Sequence, residues 1–201
     1  MGTTTETRTD ERWIALAAVV AALAFAIGPV AGQVVLTQWD PGQPVLIGAA
    51  AVGGAASVVV ALSAWRRGDR TSLGFALSVL CSALSWVPLG PLSFPITTIL
   101  LIASEALLIT FGVMVLRRST GSPRVAGWVI AVGASVWLFG GFAIWLGTLP
   151  GTSQTVLTVL FAIPAVGQFA AFVAAALLFA GPLLRPVRAG VQYLWSTADV
   201  R

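Results

Sequence analysis

Long apolar runs separated by short polar links dominate this chain. Six runs approach bilayer-crossing length, at about 13–36, 45–65, 73–90, 95–116, 125–147 and 155–180. A hydrocarbon core of about 30 Å needs about 20 apolar residues in a helix that rises about 1.5 Å per residue. The pattern therefore predicts an all-α, polytopic integral membrane bundle of six transmembrane helices. The third run is the shortest and ends in Pro88-Leu-Gly-Pro91, where a tilt or a break is expected, and Pro91 and Pro95 bracket a tight link into the fourth. All the links are short, so neighbouring helices are expected to pair as antiparallel hairpins. No room is left for a second domain. The division is a polar N-terminal tail at 1–12, a transmembrane domain at 13–181 and a cytoplasmic interfacial helix and tail at 182–201.

Charge then orients the bundle. Arg8 and Arg12 precede the first run, and Arg66, Arg67 and Arg70 join the second to the third. Arg117, Arg118 and Arg124 join the fourth to the fifth, and Arg185, Arg188 and Arg201 follow the sixth. The alternate links, 37–44, 90–94 and 148–154, contain no Arg. Short positively charged loops stay cytoplasmic during insertion, which puts both termini inside and predicts a multi-pass cell-membrane protein. Adding or deleting one span would scramble this segregation. Tryptophan agrees, because indoles favour the headgroup level. Trp13, Trp65, Trp128 and Trp195 fall near the cytoplasmic interface, Trp39, Trp86 and Trp145 near the outer one, and only Trp137 at mid-depth.

The two ends differ from the middle. Arg8 and Arg12 ahead of an apolar run resemble a signal peptide, but the run exceeds a typical h-region of about 7–15 residues and the leader holds Glu6, Asp10 and Glu11. An uncleaved first helix is expected, preceded by a mobile, Thr-rich tail at 2–9. After Pro182, Leu183, Leu184, Val187, Val191, Leu194 and Trp195 recur at helical spacing, with Arg185, Arg188, Gln192 and Ser196 elsewhere. That is the pattern of an amphipathic helix lying in the cytoplasmic interface, and Gly181-Pro182 and Pro186 argue against a simple continuation of the sixth span.

Composition excludes more than it assigns. The chain is 58% hydrophobic and 9% charged, and it contains no His, no Lys and no Asn and a single cysteine, Cys81. Schiff-base, axial-His haem, His/Cys zinc and Ser-His-Asp chemistries each lack an essential residue. No enzyme activity and no cofactor are expected, and nothing points to nucleic acid. The formal charge of +4 belongs to membrane orientation. Cys81 reads as a small buried hydrophobe, and Asp40 as an ordinary outer-loop residue.

One ionisable side chain lies deep in a span. Glu105, ten residues into the fourth run, sits near the bilayer centre, where a charged carboxylate costs several kcal/mol and must face protein or water. Thr98 and Gly112 lie seven residues to either side on the same stripe. Glu105 is either a proton- or cation-responsive site or a neutral group hydrogen-bonded to another helix as structural glue. The first and sixth runs both carry Pro-x-x-Gly-Gln, ending in Gln33 and Gln168. Proline frees a carbonyl one turn earlier and glycine permits close approach, so Gln33, Gln168, Glu105 and Trp86 are candidates to line one cavity open to the outside. Coincidence is the competing explanation in a chain this rich in Gly and Pro.

Small residues crowd Gly48–Ser57, and alanines four apart mark the first and sixth runs: Ala17, Ala18, Ala21 and Ala22, then Ala170, Ala171, Ala174 and Ala175. They serve either packing within the bundle or contact with a protein partner or second copy, beyond the lipid bilayer itself. Ser72, Ser78, Ser82 and Ser85 are expected to bond back to their own helix. Six helices in about two hundred residues, opening on an Ala-rich one, resemble the substrate-binding membrane subunits of energy-coupling-factor vitamin transporters. The likeness covers size and helix count, and no residue role follows from it. A small-solute or ion transport component is the leading expectation, with a non-catalytic accessory or assembly subunit as the alternative.

Single cysteines introduced in a Cys81→Ala background test the orientation. Impermeant thiol reagent is expected to reach position 153 in intact cells and positions 67, 118 and 188 only after lysis. Labelling of 153 only after lysis would invert the topology.

Overall fold

A computed structural model describes residues 3–38, 42–87, 93–147 and 153–198, and side chains for 11–28, 44–87, 93–144, 153, 155–181 and 183. These residues form six helices: α1 (Thr3–Gln38), α2 (Gly42–Arg67), α3 (Arg70–Leu84), α4 (Ser93–Arg118), α5 (Ser122–Gly147) and α6 (Gln154–Ala198). The protein is all-helical among the described residues. Five helices carry apolar stretches of membrane-crossing length, which argues for insertion in a bilayer.

The third span is the exception. Its 15 residues cover about 22 Å at about 1.5 Å per residue, short of a hydrocarbon core of about 30 Å. The helix occupies Arg70–Leu84 instead of 73–90, and local capping explains both shifts. Asp69 caps the N-terminus, accepting from the Thr71 and Ser72 amides at 3.0 and 3.3 Å, so the helix starts early. At the other end the Ser85 hydroxyl donates to the Ser82 carbonyl at 2.7 Å, and Trp86 and Val87 bond back three residues, tightening the last turn ahead of Pro88.

The termini also differ from expectation. Residues 3–12, expected to precede the first helix, belong to α1. Glu6 lies in the first turn of that helix, where its dipole favours negative charge. The expected break at Gly181-Pro182 is also absent, and α6 runs through both prolines to Ala198. A proline deletes one helical donor and kinks the axis without ending it where the backbone stays in register. At 45 residues α6 spans about 68 Å, far beyond one hydrocarbon thickness. The stretch 184–198 is helical, as the apolar spacing predicted, and its side chains lie outside the described residues.

Each helix packs against its sequence neighbours and α6 packs against α1, so the six close into a ring, with only slight contact between α1 and α3. Two links are tight turns at the Arg-bearing end, and Gly68 and Gly121 adopt φ of +68° there, the left-handed conformation that glycine enters without a Cβ penalty. Arg118 ties this end together by donating to Thr71 Oγ1 at 2.8 Å across the α3–α4 pair.

Glycine sets the spacing of the ring. A Cβ on Gly112 of α4 would lie 2.7 Å from the Ala131 amide nitrogen of α5, and one on Gly167 of α6 would lie 2.6 Å from the Gly133 carbonyl of α5. On α2, a Cβ at Gly53 would meet the Phe25 ring of α1 at 2.7 Å. Ala18, Ala21 and Ala22 of α1 and Ala171, Ala174 and Ala175 of α6 are buried in the same core. The small residues of α1 and α6 therefore serve packing within the bundle, whereas on α2 Gly53 and Gly54 face inward and Gly48, Ala51 and Ala55 stay exposed. Aromatic rings fill the middle. Phe75, Phe111 and Phe179 pack with centroids 4.9 to 5.8 Å apart toward the Arg-bearing end. Phe172 meets Phe25 at 5.8 Å and Trp137 at 6.0 Å nearer mid-height. Trp13, Trp65, Trp128 and Trp86 are exposed near helix ends, as interfacial indoles should be.

Gly167→Ala should destabilise the bundle by about 1–3 kcal/mol, because a methyl group has no room against the Gly133 carbonyl. Gly48→Ala, whose Cβ would meet nothing within 4 Å, should be nearly silent. Denaturation of both variants in mild detergent measures the difference, and equal behaviour would remove glycine contact as the determinant of ring spacing.

Candidate functional site

Helix geometry places Ser104 and Glu105 on different faces of α4, because successive residues turn by about 100°. Ser104 points at α3, where its hydroxyl lies 2.7 Å from Ser82 Oγ and 3.4 Å from Ser78 Oγ. All three serines are buried. Ser78 and Ser82 thus bond across the helix pair instead of back to their own carbonyls, since Ser104 offers a partner that can donate and accept. Ser72 also departs from expectation, donating to Asp69 Oδ2 at 2.5 Å. Ser85 behaves as expected and bonds within its own turn.

Glu105 points toward α5. The stripe it shares with Thr98 and Gly112 explains the shape of this interface. At Gly112 the backbones touch. From Glu105 to the Arg-free end, larger side chains hold the helices apart and leave a groove of about 500 Å³ lined by Phe94, Thr97, Thr98, Leu101, Glu105, Leu138 and Phe142 among others. Glu105 is 7% exposed, and its carboxyl makes no hydrogen bond or ion pair to another described residue. Its neighbour Ser104 is fully satisfied. The glue interpretation of Glu105 requires an interhelical partner, and none stands among the described residues.

The remaining expected site residues fall elsewhere. Gln168 and Trp86 do meet, in a second cavity of about 240 Å³ lined also by Ala24, Phe25, Gly28, Leu46, Ala49 and Ala50. Glu105 is not part of it. The α4–α5 groove and the Gln168 cavity share no lining residue, because Glu105 faces Leu138, Gly141 and Phe142 of α5 while Gln168 faces α1 and α2. Thr98 joins Glu105, and Trp86 joins Gln168. Gln33 lies in α1, but its side chain is outside the described residues, as is Asp40. The Pro164-Ala-Val-Gly167 element packs helices without breaking one: Gly167 meets Gly133, and Pro164 lies against Gly140, where a Cβ would approach it at 2.9 Å.

Thr97 and the α5 residues Leu138, Gly141 and Phe142 line the Glu105 groove without having been singled out in the sequence. Thr97 shares the stripe of Leu101 and carried a readable clue. The α5 residues carry no polar mark, and only helix pairing identifies them. Among the described residues no group of three His, Cys, Asp or Glu side chains is placed to hold a metal ion. The chain matches no known protein family, no curated protein and no solved structure.

Two substitutions on adjacent residues separate structural from free polar groups. Ser104→Ala should cost roughly 0.6–1.7 kcal/mol, the scale of an interhelical hydrogen bond in a membrane. Glu105→Leu should change stability by less than about 0.5 kcal/mol, since it removes no described hydrogen bond and adds apolar surface to an apolar groove. Unfolding in detergent reads both, and a large loss at Glu105→Leu would restore the glue interpretation.

Proposed function

We propose that this protein is a small-solute or ion transport component of the cell membrane, with both termini cytoplasmic and its ligand site at Glu105. The observation that carries this reading is the near-buried Glu105 carboxyl at mid-height of the bundle, without a partner among the described residues and facing a groove that continues to the Arg-free end. Retaining an ionisable group at such depth opposes stability unless the group has a use. The Arg segregation supports the orientation, which makes the Arg-free end the outer one and opens the groove away from the cytoplasm. Toward the Arg-bearing end the α4–α5 interface closes where Gly112 meets the Ala131 backbone, which ends the groove on that side. The alternative, a non-catalytic accessory or assembly subunit, draws on the small-residue faces, of which those of α1 and α6 are largely buried in the core while Gly48, Ala51 and Ala55 of α2 stay exposed.

Native mass spectrometry of wild type and Glu105→Gln, purified in mild detergent, tests the reading. Glutamine keeps the size and hydrogen-bonding capacity while removing ionisation. A small molecule carried by wild type and lost from Glu105→Gln is the expected result. A stoichiometric protein partner retained equally by both, with no small molecule, would favour the accessory role.

A further inference from the structure

Beside Glu105 the threonine hydroxyls of the groove present acceptors, and Ser93 lines its far end at the start of α4. The Thr97 hydroxyl donates to the Ser85 carbonyl at 3.3 Å, and the Thr98 hydroxyl donates to the Phe94 carbonyl at 2.9 Å. Both protons are committed, so what these side chains turn to a ligand is oxygen lone pairs. Glu105 adds a carboxylate when ionised. No cation of this chain offsets it from its own helix, where the closest is Arg117, twelve residues and about 18 Å along the axis. Across the groove α5 contributes Leu138, Gly141 and Phe142, all uncharged. Such a site repels anions and attracts cations or N–H donors.

The kind of cation follows from what else the groove lacks. A hard inorganic cation gives up its water only for a shell of about six or more oxygens. One carboxylate and two threonine oxygens spread over about 10 Å of helix, seven residues from Thr98 to Glu105, cannot supply that shell. An organic cation spreads its charge over a bulky apolar body and needs one counter-charge, apolar walls and aromatic faces. Leu101, Ile102 and Leu138 provide the walls, and Phe94 and Phe142 stand exposed at the groove's edge. The volume of about 500 Å³ lies within the range of about 300–1,000 Å³ that holds drug-sized ligands.

We propose that the α4–α5 groove binds a hydrophobic organic cation, with its charge at Glu105 and its apolar body along Leu101, Ile102, Leu138 and Phe142. This rests on the reading of Glu105 as a ligand site and names the class of ligand.

Radiolabelled tetraphenylphosphonium, binding to the purified full chain in mild detergent, is the probe. Saturable binding is expected, weakened about tenfold or more in Glu105→Gln, the scale of a lost charge-assisted contact. Gly141→Leu is the second variant. A Cβ at Gly141 meets nothing within 4 Å, so leucine fits the fold while filling the groove, and it should abolish binding with Glu105 intact. Radiolabelled tetraphenylborate, the anion of the same shape, assayed by itself should show no saturable binding, and excess sodium should not displace tetraphenylphosphonium. Equal binding by Glu105→Gln, full binding by Gly141→Leu, saturable binding of tetraphenylborate alone, or displacement by sodium would each overturn the proposal. Absence of tetraphenylphosphonium binding alongside a Glu105-dependent bound small molecule would discard the ligand class and keep the site. Indifference of both readouts to Glu105→Gln would discard both.

Discussion

Backbone contact at glycine is the interaction on which the rest of this bundle depends. Lipid tails are as apolar as leucine, so within a bilayer nothing hydrophobic draws one helix to another, and association rests on close packing. Gly112 against Ala131, and Gly133 against Gly167, let α4, α5 and α6 approach to backbone distance. Closure of the ring through α1 and α6 brings their alanine faces into the same core. The groove is the counterpart of that tightness. One stripe of α4 carries Gly112, Glu105 and Thr98 in turn, and the change from no side chain to larger ones converts a dry contact into a space.

The same geometry separates two polar residues adjacent in sequence. Ser104 meets Ser78 and Ser82 and becomes part of the α3–α4 packing through a neutral hydroxyl network. Glu105, a third of a turn away, meets a gap. A structural role consumes hydrogen-bonding capacity, whereas a binding role leaves it available. Here that distinction follows from which helix each face meets, not from the chemistry of either side chain alone.

Much of the fold was legible because a bilayer imposes a one-dimensional constraint. A run of apolar residues either reaches across or does not, and the five long helices follow from run length. Local rules decided what run length could not. The Asp69 cap and the Ser85 turn set the limits of the short α3. The continuity of α6 through Pro182 and Pro186 shows that proline weakens a helix without stopping it. Glu105 was legible as the only ionisable residue deep in a span, and Thr98 as its neighbour on the stripe.

The grouping of site residues was not legible. Glu105, Gln168 and Trp86 sit at compatible positions along their helices, yet depth is one coordinate and a cavity needs three. Only the rotation of each helix about its axis sends Gln168 and Trp86 to a cavity shared with α1 and α2, and Glu105 to a groove shared with α5. The sequence by itself determined the long helices, the segregation of Arg to alternate links and the one carboxyl deep in an apolar run, because each depends on position along the chain. Tertiary structure decided which faces meet, and so which serines pair, which glycines touch and why Glu105 has no partner among the described residues, because packing depends on rotation about each helix axis and on the identity of the neighbour.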